Sequence, residues 1–449
     1  MQETQETTIR QFESEKEGSS YDTYDSYTET DIEWLGKIPD HWSLSIVDQH
    51  SHLKPGFSFD SDNFDKQSGF PLIRIRNIKG KNVNTYYNGD ISPEMKQVIV
   101  EEGDIIVGMD GDFRVYWWDD KKALLNQRMT RITSEDYHDR RYLYYLLPIA
   151  LEYIQEITAS TTVKHLSTNE IRKLKVPSMP HEEREAIVEF LDQETKDIDE
   201  LIEKKEKLIK LIEERRKAVI KNAVIKGLDS DVDLKESGVD WLGEVPEHWD
   251  VPRIRFVARM ESGHTPSKSE DEYWDGDIPW VSLADSGWMR EHDYISETDK
   301  TISEAGLANS SAHILPPETM VFTRDATVGL CAITTREMAV SQHIIGWICE
   351  DNLLPEYLLN VTKAMDQELD RLTMGATIST VGMEDIKKLK MPLPPIEEQE
   401  DIVEYLNEEL EKFDESIEKI REGIERLKEY RTALITEAVT GQIDVRGEV

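Results

Sequence analysis

The sequence predicts an α+β protein in which two mixed domains alternate with two long helices, the whole forming an internal repeat with approximate twofold symmetry. Three observations carry that expectation. DIEWLGKIPDHW at 31–42 returns as GVDWLGEVPEHW at 238–249, so that Trp34, Leu35, Gly36, Pro39, His41 and Trp42 all recur. KLKVPSMPHEEREAIVEFLDQE at 173–194 matches KLKMPLPPIEEQEDIVEYLNEE at 388–409. Each of these second strings opens a proline-free run of about 45 residues, dense in Glu, Lys, Leu and Ile, with a helical period.

The offset between the copies moves from 207 at the first match to 215 at the second, so the stretches between them differ by a net eight residues. Inside those stretches little identity survives. Asp110 still aligns with Asp325, Gln127 with Gln342, Thr162 with Thr377 and Ile171 with Ile386. One frame is used twice around two different middles.

Taken in order, residues 1–29 are acidic, rich in Thr, Ser, Glu and Tyr, and without a periodic apolar face, which predicts a disordered tail. Residues 30–180 and 237–395 mix short β-rich runs (PLIRIRNI, DIIVGM, DIPWVSL, HIIGWI) with turn residues and helical stretches such as RRYLYYLLPIALEYIQEI, as α/β domains do. Long helices follow at 181–227 and 396–441, each stopping at a glycine, Gly227 and Gly441. A linker at 228–236 and a C-terminal tail at 442–449 complete the chain.

In the second helix Phe413, Ile417, Ile420, Ile424, Leu427, Arg431 and Leu434 alternate spacings of four and three, the seam of a coiled coil. The first helix repeats the seam as Ile198, Ile202, Lys205, Ile209, Ile212, Arg216 and Val219, with arginine at the same place. Packing of each stripe against its neighbouring domain is the competing reading. At 1.5 Å per residue each helix would span about 68 Å. Residues 203–226 carry nine basic and four acidic residues, which fits a charged seam flank, partner docking or an approach to phosphate.

The 449 residues, 38% hydrophobic and 32% charged, suit two or three globular domains. No run approaches 18 apolar residues and no signal peptide is recognisable, so a cytoplasmic protein without a membrane segment is expected. Cys331 and Cys349 are too few for a disulfide framework or a zinc site and read as reduced packing residues. The net charge of −38 opposes simple nucleic-acid binding, since neutralisation of phosphate by Lys and Arg supplies much of ordinary DNA affinity. A salty cytoplasm, with a Debye length of about 3 Å at 1 M, would leave only contact-range charges to matter.

Catalytic signatures are missing. There is neither a GxxxxGK(S/T) phosphate loop nor a GxGxxG turn, which argues against an ATPase and weakens a methyltransferase reading. With 91 Asp and Glu, a carboxylate pair at nuclease spacing would arise by chance almost anywhere. His41 and His248, equivalent in PDHW and PEHW, read as structural, and Asp110 and Asp325, at the ends of apolar runs, as turn formers.

The repeated WLG–P–HW opening, the two long helices and the strings GATISTVGMEDIKKLKMPLPPIEEQ at 375–399 and TRDATVG at 323–329 resemble the specificity subunits of Type I restriction-modification enzymes, over about residues 30–445. The first copy departs with SMP in place of LPP and His181 in place of Ile396. The resemblance implies two target-recognition domains that read double-stranded DNA through base edges, and helices that pack antiparallel and dock two methyltransferase subunits, with motor-nuclease subunits joining later. It further implies a non-catalytic chain with no cofactor of its own, S-adenosylmethionine, ATP and Mg being used by the partners. Two diverged copies on one frame would read a split, asymmetric site.

Candidate DNA contacts in the first domain are Arg74, Arg76, Lys79 and Lys81, clustered in LIRIRNIKGK, together with Arg114, Gln127, Arg128, Lys164 and His165. Arg and Gln suit guanine and adenine edges, and a strand at LIRIRNI would place Arg74 and Arg76 on one face. In the second domain the candidates are Lys268, Arg290, Arg324, Gln342 and His343, with Thr265 and Ser267 able to bond phosphate or bases. The rivals are a coiled-coil scaffold without sequence-selective DNA binding and a stand-alone DNA methyltransferase.

Overall fold

A computed structural model describes residues 21–77, 83–157, 165–373 and 380–448. The chain divides into two compact units, residues 1–205 with 422–449 and residues 206–421. The long helices, His181–Lys226 and Ile396–Val439, begin where the sequence places them. They are followed by Gly227 at φ 74° and Gly441 at φ 72°, the left-handed conformation that releases a chain from a helix.

The first unit opens with a hairpin of β1 (Tyr27–Glu29) and β2 (Lys37–Pro39). Next come β3 (Ser43–Ile46), β4 (His52–Pro55), β5 (Phe64–Asp65), β6 (Phe70–Ile73) and β7 (Tyr86–Tyr87). The strands β8 (Ile99–Val100), β9 (Ile105–Gly108), β10 (Val115–Trp117), β11 (Ala123–Leu125), β12 (Met129–Thr133) and β13 (Lys175–Ser178) complete it. They form a four-stranded sheet in the order β10-β9-β12-β4, a five-stranded sheet β5-β7-β6-β11-β8, and the pair β13-β3. Helix Tyr137–Ile157 buries Tyr142, Leu143, Tyr145 to Leu147, Ala150 and Leu151, and the hydroxyl of Tyr142 donates to the Val439 carbonyl at the end of the second long helix, 2.7 Å away.

The second unit repeats the plan. It contains the hairpin β14 (Leu234–Glu236) with β15 (Glu244–Pro246), then β16 (Ala258–Ser262), β17 (Trp274–Val281), β18 (Tyr294–Ile295) and β19 (Thr301–Ile302). After these come β20 (Thr319–Thr323), β21 (Cys331–Thr334), β22 (Ala339–Val340) and β23 (Ile344–Cys349). The run β21-β20-β23-β16 inside its main sheet has the order of the four-stranded sheet in the first unit, and the two units share a parallel pair at equivalent places, β11 on β6 and β22 on β17. Helix Pro355–Ala364 supplies Tyr357, whose hydroxyl donates to the Val224 carbonyl near the end of the first long helix at 3.0 Å.

The recurring His-Trp pair has a structural use in each copy. Trp42 Nε1 donates to Glu183 Oε1 at 2.9 Å, and His41 Nε2 lies 2.8 Å from Glu183 Oε2. Trp249 Nε1 and His248 Nε2 hold Glu398 in the same way, at 2.9 and 2.8 Å. Both carboxylates sit in the first turn of a long helix, where negative charge meets the positive end of the helix dipole. The clamp therefore joins each domain to the helix that follows it.

Several expectations need correction. Of the tail predicted over 1–29, residues 21–29 are packed: Tyr24 is buried in the first core, β1 pairs with β2, and Asp22 bridges Asp444. The apolar rings of Tyr21, Tyr24 and Tyr27 supply the burial that a polar-looking stretch seemed to lack, and residues 1–20 lie outside the described residues. The C-terminal tail is likewise anchored by buried Ile443 and Val445. Within the linker 228–236, Leu234–Glu236 is a strand, the counterpart of β1.

Along the helices, Ile198, Ile212, Ile417, Ile424, Leu427 and Leu434 are buried, whereas Ile202, Ile209, Val219, Phe413 and Ile420 are half-buried. Leu201 and Leu208 are buried beside the residues expected there. Successive residues lie about 100° apart around a helix, so Leu208 and Ile209 flank the seam on either side and the rotation of the helix favours Leu208. Both cysteines are free, and burial pushes each thiol up to about 12. Among the described residues no helix is long and apolar enough to cross a membrane.

Candidate nucleic-acid interface

The first unit gathers its basic side chains around the turn that follows β9. Arg76, Arg114 and Arg128 line an open cleft of about 400 Å³ together with Asp110, Gly111 and Asp112. Gly111, at φ 71°, makes the turn, and a Cβ there would meet nothing within 4 Å, so the glycine serves the backbone angle alone. Asp110 receives two basic groups: Arg128 Nη1 at 3.0 Å from Oδ2 and His165 Nδ1 at 2.7 Å from Oδ1. Arg114 pairs with Asp112 at 3.1 Å, and that bond raises its guanidinium pKa.

The expected strand across LIRIRNI is interrupted. β6 ends at Ile73, and Ile75–Asn77 is a 3-10 turn in which the buried Asn77 side chain accepts the Arg74 amide. Arg74 and Arg76 consequently do not share a strand face. Arg76 is exposed and its Nη2 lies 3.2 Å from Thr85 Oγ1, whereas Arg74 stacks 5.2 Å over the Phe64 ring. Burial, reinforced by the Arg76 charge, lowers the Arg74 pKa. Gln127 is exposed next to Arg128, and Lys79, Lys81 and Lys164 lie outside the described residues.

The second unit builds the matching turn after β20. Asp325 Oδ2 lies 2.6 Å from His343 Nδ1 and 3.8 Å from Arg324 Nε, and Ala326 takes the left-handed angle, φ 63°, that Gly111 takes in the first copy. Gln342 Nε2 lies 3.0 Å from His343 Nε2, and Thr265 Oγ1 donates to Gln342 Oε1. Thr327 Oγ1 bonds Ser286 Oγ at 3.3 Å, tying the turn to helix Ser286–Glu291, which bears the exposed Arg290. Ser267 and Lys268 are exposed, with the Ser267 hydroxyl 2.8 Å from that of Ser269, and neither Lys268 nor Arg290 is ion-paired among the described residues.

Backbone register makes the two turns equivalent. Met109 donates to the Arg128 carbonyl at 3.0 Å and its own carbonyl accepts from Leu166 at 2.8 Å. Arg324 does the same with His343 and Val381 at 3.0 and 2.9 Å, every position displaced by 215. The structure thus brings Arg76, Arg114, Arg128 and His165 together in one unit and Arg324, Gln342 and His343 in the other. Sequence reasoning took Asp110 and Asp325 as turn residues and missed that they also hold these bases, although their shared 215 offset with Gln127 and Gln342 was a signal. It also missed Trp288, half-exposed and stacked on His292 with ring centroids 3.7 Å apart.

The family described as Type I restriction modification DNA specificity domain matches residues 39–211 and 246–426, two stretches that each hold one His-Trp clamp and one Asp-centred turn. The chain belongs to that family. Similarity to the Type I restriction enzyme EcoBI specificity subunit of Escherichia coli is 30% identity over 392 residues, covering 84% of this chain and 80% of that one. The MjaIX specificity subunit of Methanocaldococcus jannaschii is 32% identical over 179 residues, covering 39% of this chain and 40% of its own.

Two solved structures share the fold of this specificity subunit. One, from work titled as the structural basis of complex assembly and conformational transition of the type I R-M system, superposes with a TM-score of 0.65 at 16% identity, covering 90% of this chain and 98% of that one. The HsdS subunit from Thermoanaerobacter tengcongensis gives 0.52 at 17% identity, covering 93% and 100%. The chain is a DNA-specificity subunit of the Type I restriction-modification class, and its part is recognition rather than catalysis.

Proposed function

We propose that each unit reads one half of a split, asymmetric DNA site, and that the paired long helices set the gap between the halves. The observation that carries this reading is the twin turn: identical backbone register at positions 109, 128 and 166 and at 324, 343 and 381, with an aspartate retained and its basic partners changed from Arg128 and His165 to His343 and Arg324. One scaffold with different readers yields different half-sites.

An antiparallel coiled coil is supported by two ion pairs. Arg431 Nε lies 3.4 Å from Asp199 within the first unit, and Arg216 Nη1 lies 3.2 Å from Asp414 within the second. From 199 to 216 the first helix rises by as many positions as the second falls from 431 to 414, which is one antiparallel register. The exposed faces of these helices dock two methyltransferase subunits, with motor-nuclease subunits joining them, and those partners bind S-adenosylmethionine, ATP and Mg. DNA contact falls to Arg76, Arg114, Gln127 and Arg128 in one unit and to Arg290, Arg324, Gln342 and His343 in the other, with Arg74 and Lys268 as lesser contacts and Lys79, Lys81 and Lys164 kept as candidates on their sequence alone.

The test is adenine-methylation mapping of genomic DNA by long-read sequencing, in cells expressing this chain with its neighbouring methyltransferase subunit and in cells lacking this chain. A split motif that disappears without the chain is the expected result. An unchanged methylome in a verified active complex would favour the scaffold reading.

A further inference from the structure

A carboxylate in the middle of a DNA-facing basic cluster needs a reason, because it repels phosphate in a chain whose net charge is already −38. Here the feature occurs twice, at the same backbone position of two domains whose basic site residues differ although Gln127 and Gln342 also match. Asp110 holds Arg128 and His165, and Asp325 holds His343 with Arg324 at 3.8 Å.

Resting on the half-site reading above, we propose that Asp110 and Asp325 are positioning residues that direct a neighbouring donor, Arg128 directly and Gln342 through His343, to a base edge rather than to phosphate. Arg128 paired through Nη1 offers phosphate little net charge, yet keeps N–H donors on its other edges for the acceptors of a base. The partner also removes rotamer freedom from a long side chain before DNA arrives, so less entropy is lost on binding.

In the second unit the same device sets a tautomer. Thr265 donates to Gln342 Oε1, which leaves the Gln342 amide nitrogen facing His343 Nε2 at 3.0 Å. An amide nitrogen only donates, so His343 Nε2 accepts, and Nδ1 carries the proton that bonds Asp325 at 2.6 Å. Thr265, Gln342, His343 and Asp325 form one directed relay, which leaves the remaining Gln342 proton for a base edge. A residue that merely balanced charge would need no such order.

The experiment uses the full chain in complex with its methyltransferase subunits and duplexes carrying the mapped site, the site with half one scrambled, and the site with half two scrambled. Asp110→Asn is expected to lower discrimination at half one by about 5- to 150-fold, the worth of one bidentate base contact, while half two is read as before. The freed Arg128 should steepen the dependence of log K on log salt by about one. Asp325→Asn should affect half two alone, Asp110→Glu should restore part of the loss, and Arg128→Gln should reproduce the loss without the steeper slope.

Discrimination by Asp110→Asn within twofold of wild type, an unchanged salt slope, or equal loss at both halves would overturn the positioning role. If the wild-type complex itself fails to discriminate either half, the half-site reading falls and this inference with it. Normal wild-type discrimination with an unaffected Asp110→Asn variant overturns this inference alone.

Discussion

Glu183→Ala and Glu398→Ala remove the same carboxylate from two copies of one clamp, yet the structure makes their costs unequal. Glu183 is 4% exposed and Glu398 is 40% exposed, although each accepts an indole N–H at 2.9 Å and faces a histidine nitrogen at 2.8 Å. In the first unit the substitution removes a buried carboxylate and leaves the buried Trp42 indole N–H without its acceptor, while the exposed His41 is rehydrated, which costs about 2–4 kcal/mol. In the second unit the Trp249 indole is as buried as Trp42, but water reaches the exposed Glu398 position and takes over part of the lost bonding, so about 1–2 kcal/mol is expected. Both variants also lose the interaction of a first-turn carboxylate with its helix dipole, about 0.3–1 kcal/mol. For domains of this size 1 kcal/mol shifts the midpoint by roughly 2–4 °C, so calorimetry should show a larger shift for Glu183→Ala than for Glu398→Ala. Equal shifts, or a Glu183→Ala loss under about 1 kcal/mol, would refute the claim that burial sets the strength of the clamp.

Further expectations follow from the same geometry. Ile424→Asp places a charge at a buried seam position and should cost several kcal/mol, whereas Ile209→Asp, half-buried, should cost less than Leu208→Asp; urea titration of the three variants decides the order. Ala326→Gly should stabilise the chain by about 1 kcal/mol by relieving a left-handed alanine, and Gly111→Ala should destabilise by a similar amount without any clash, both measurable as shifts in midpoint. Burial, with the neighbouring Arg184 charge, holds His50 below its ordinary pKa, so the unfolded chain takes up that proton first. Its contribution is complete above pH of about 6.5 and is lost as pH falls below that value, and His50→Gln should flatten this part of the stability profile.

Much of the architecture was legible in the amino-acid order because its signals are local or literal. Repetition of WLG–P–HW and of the KLK strings needs no three-dimensional information, and a helix announces its limits through its own period and through Gly227 and Gly441. Tertiary structure decided everything that depends on which surfaces meet. The Tyr24 and Tyr27 rings turned a supposed tail into part of a core because partners some four hundred residues away, Ile443 and Val445, cover the same site. Leu208 displaced Ile209 because neighbouring packing, rather than period, sets the phase of a helix. Arg74 and Arg76 lost their common face because Asn77 captured the backbone of a strand. The pairing of Asp110 with Arg128 and His165, 18 and 55 positions away, was set by the register of β9 against β12 and by the bridge to residue 165. Hydrophobic period is written along the chain, whereas charge partnership is written across it, and only the folded register brings those residues within bonding distance.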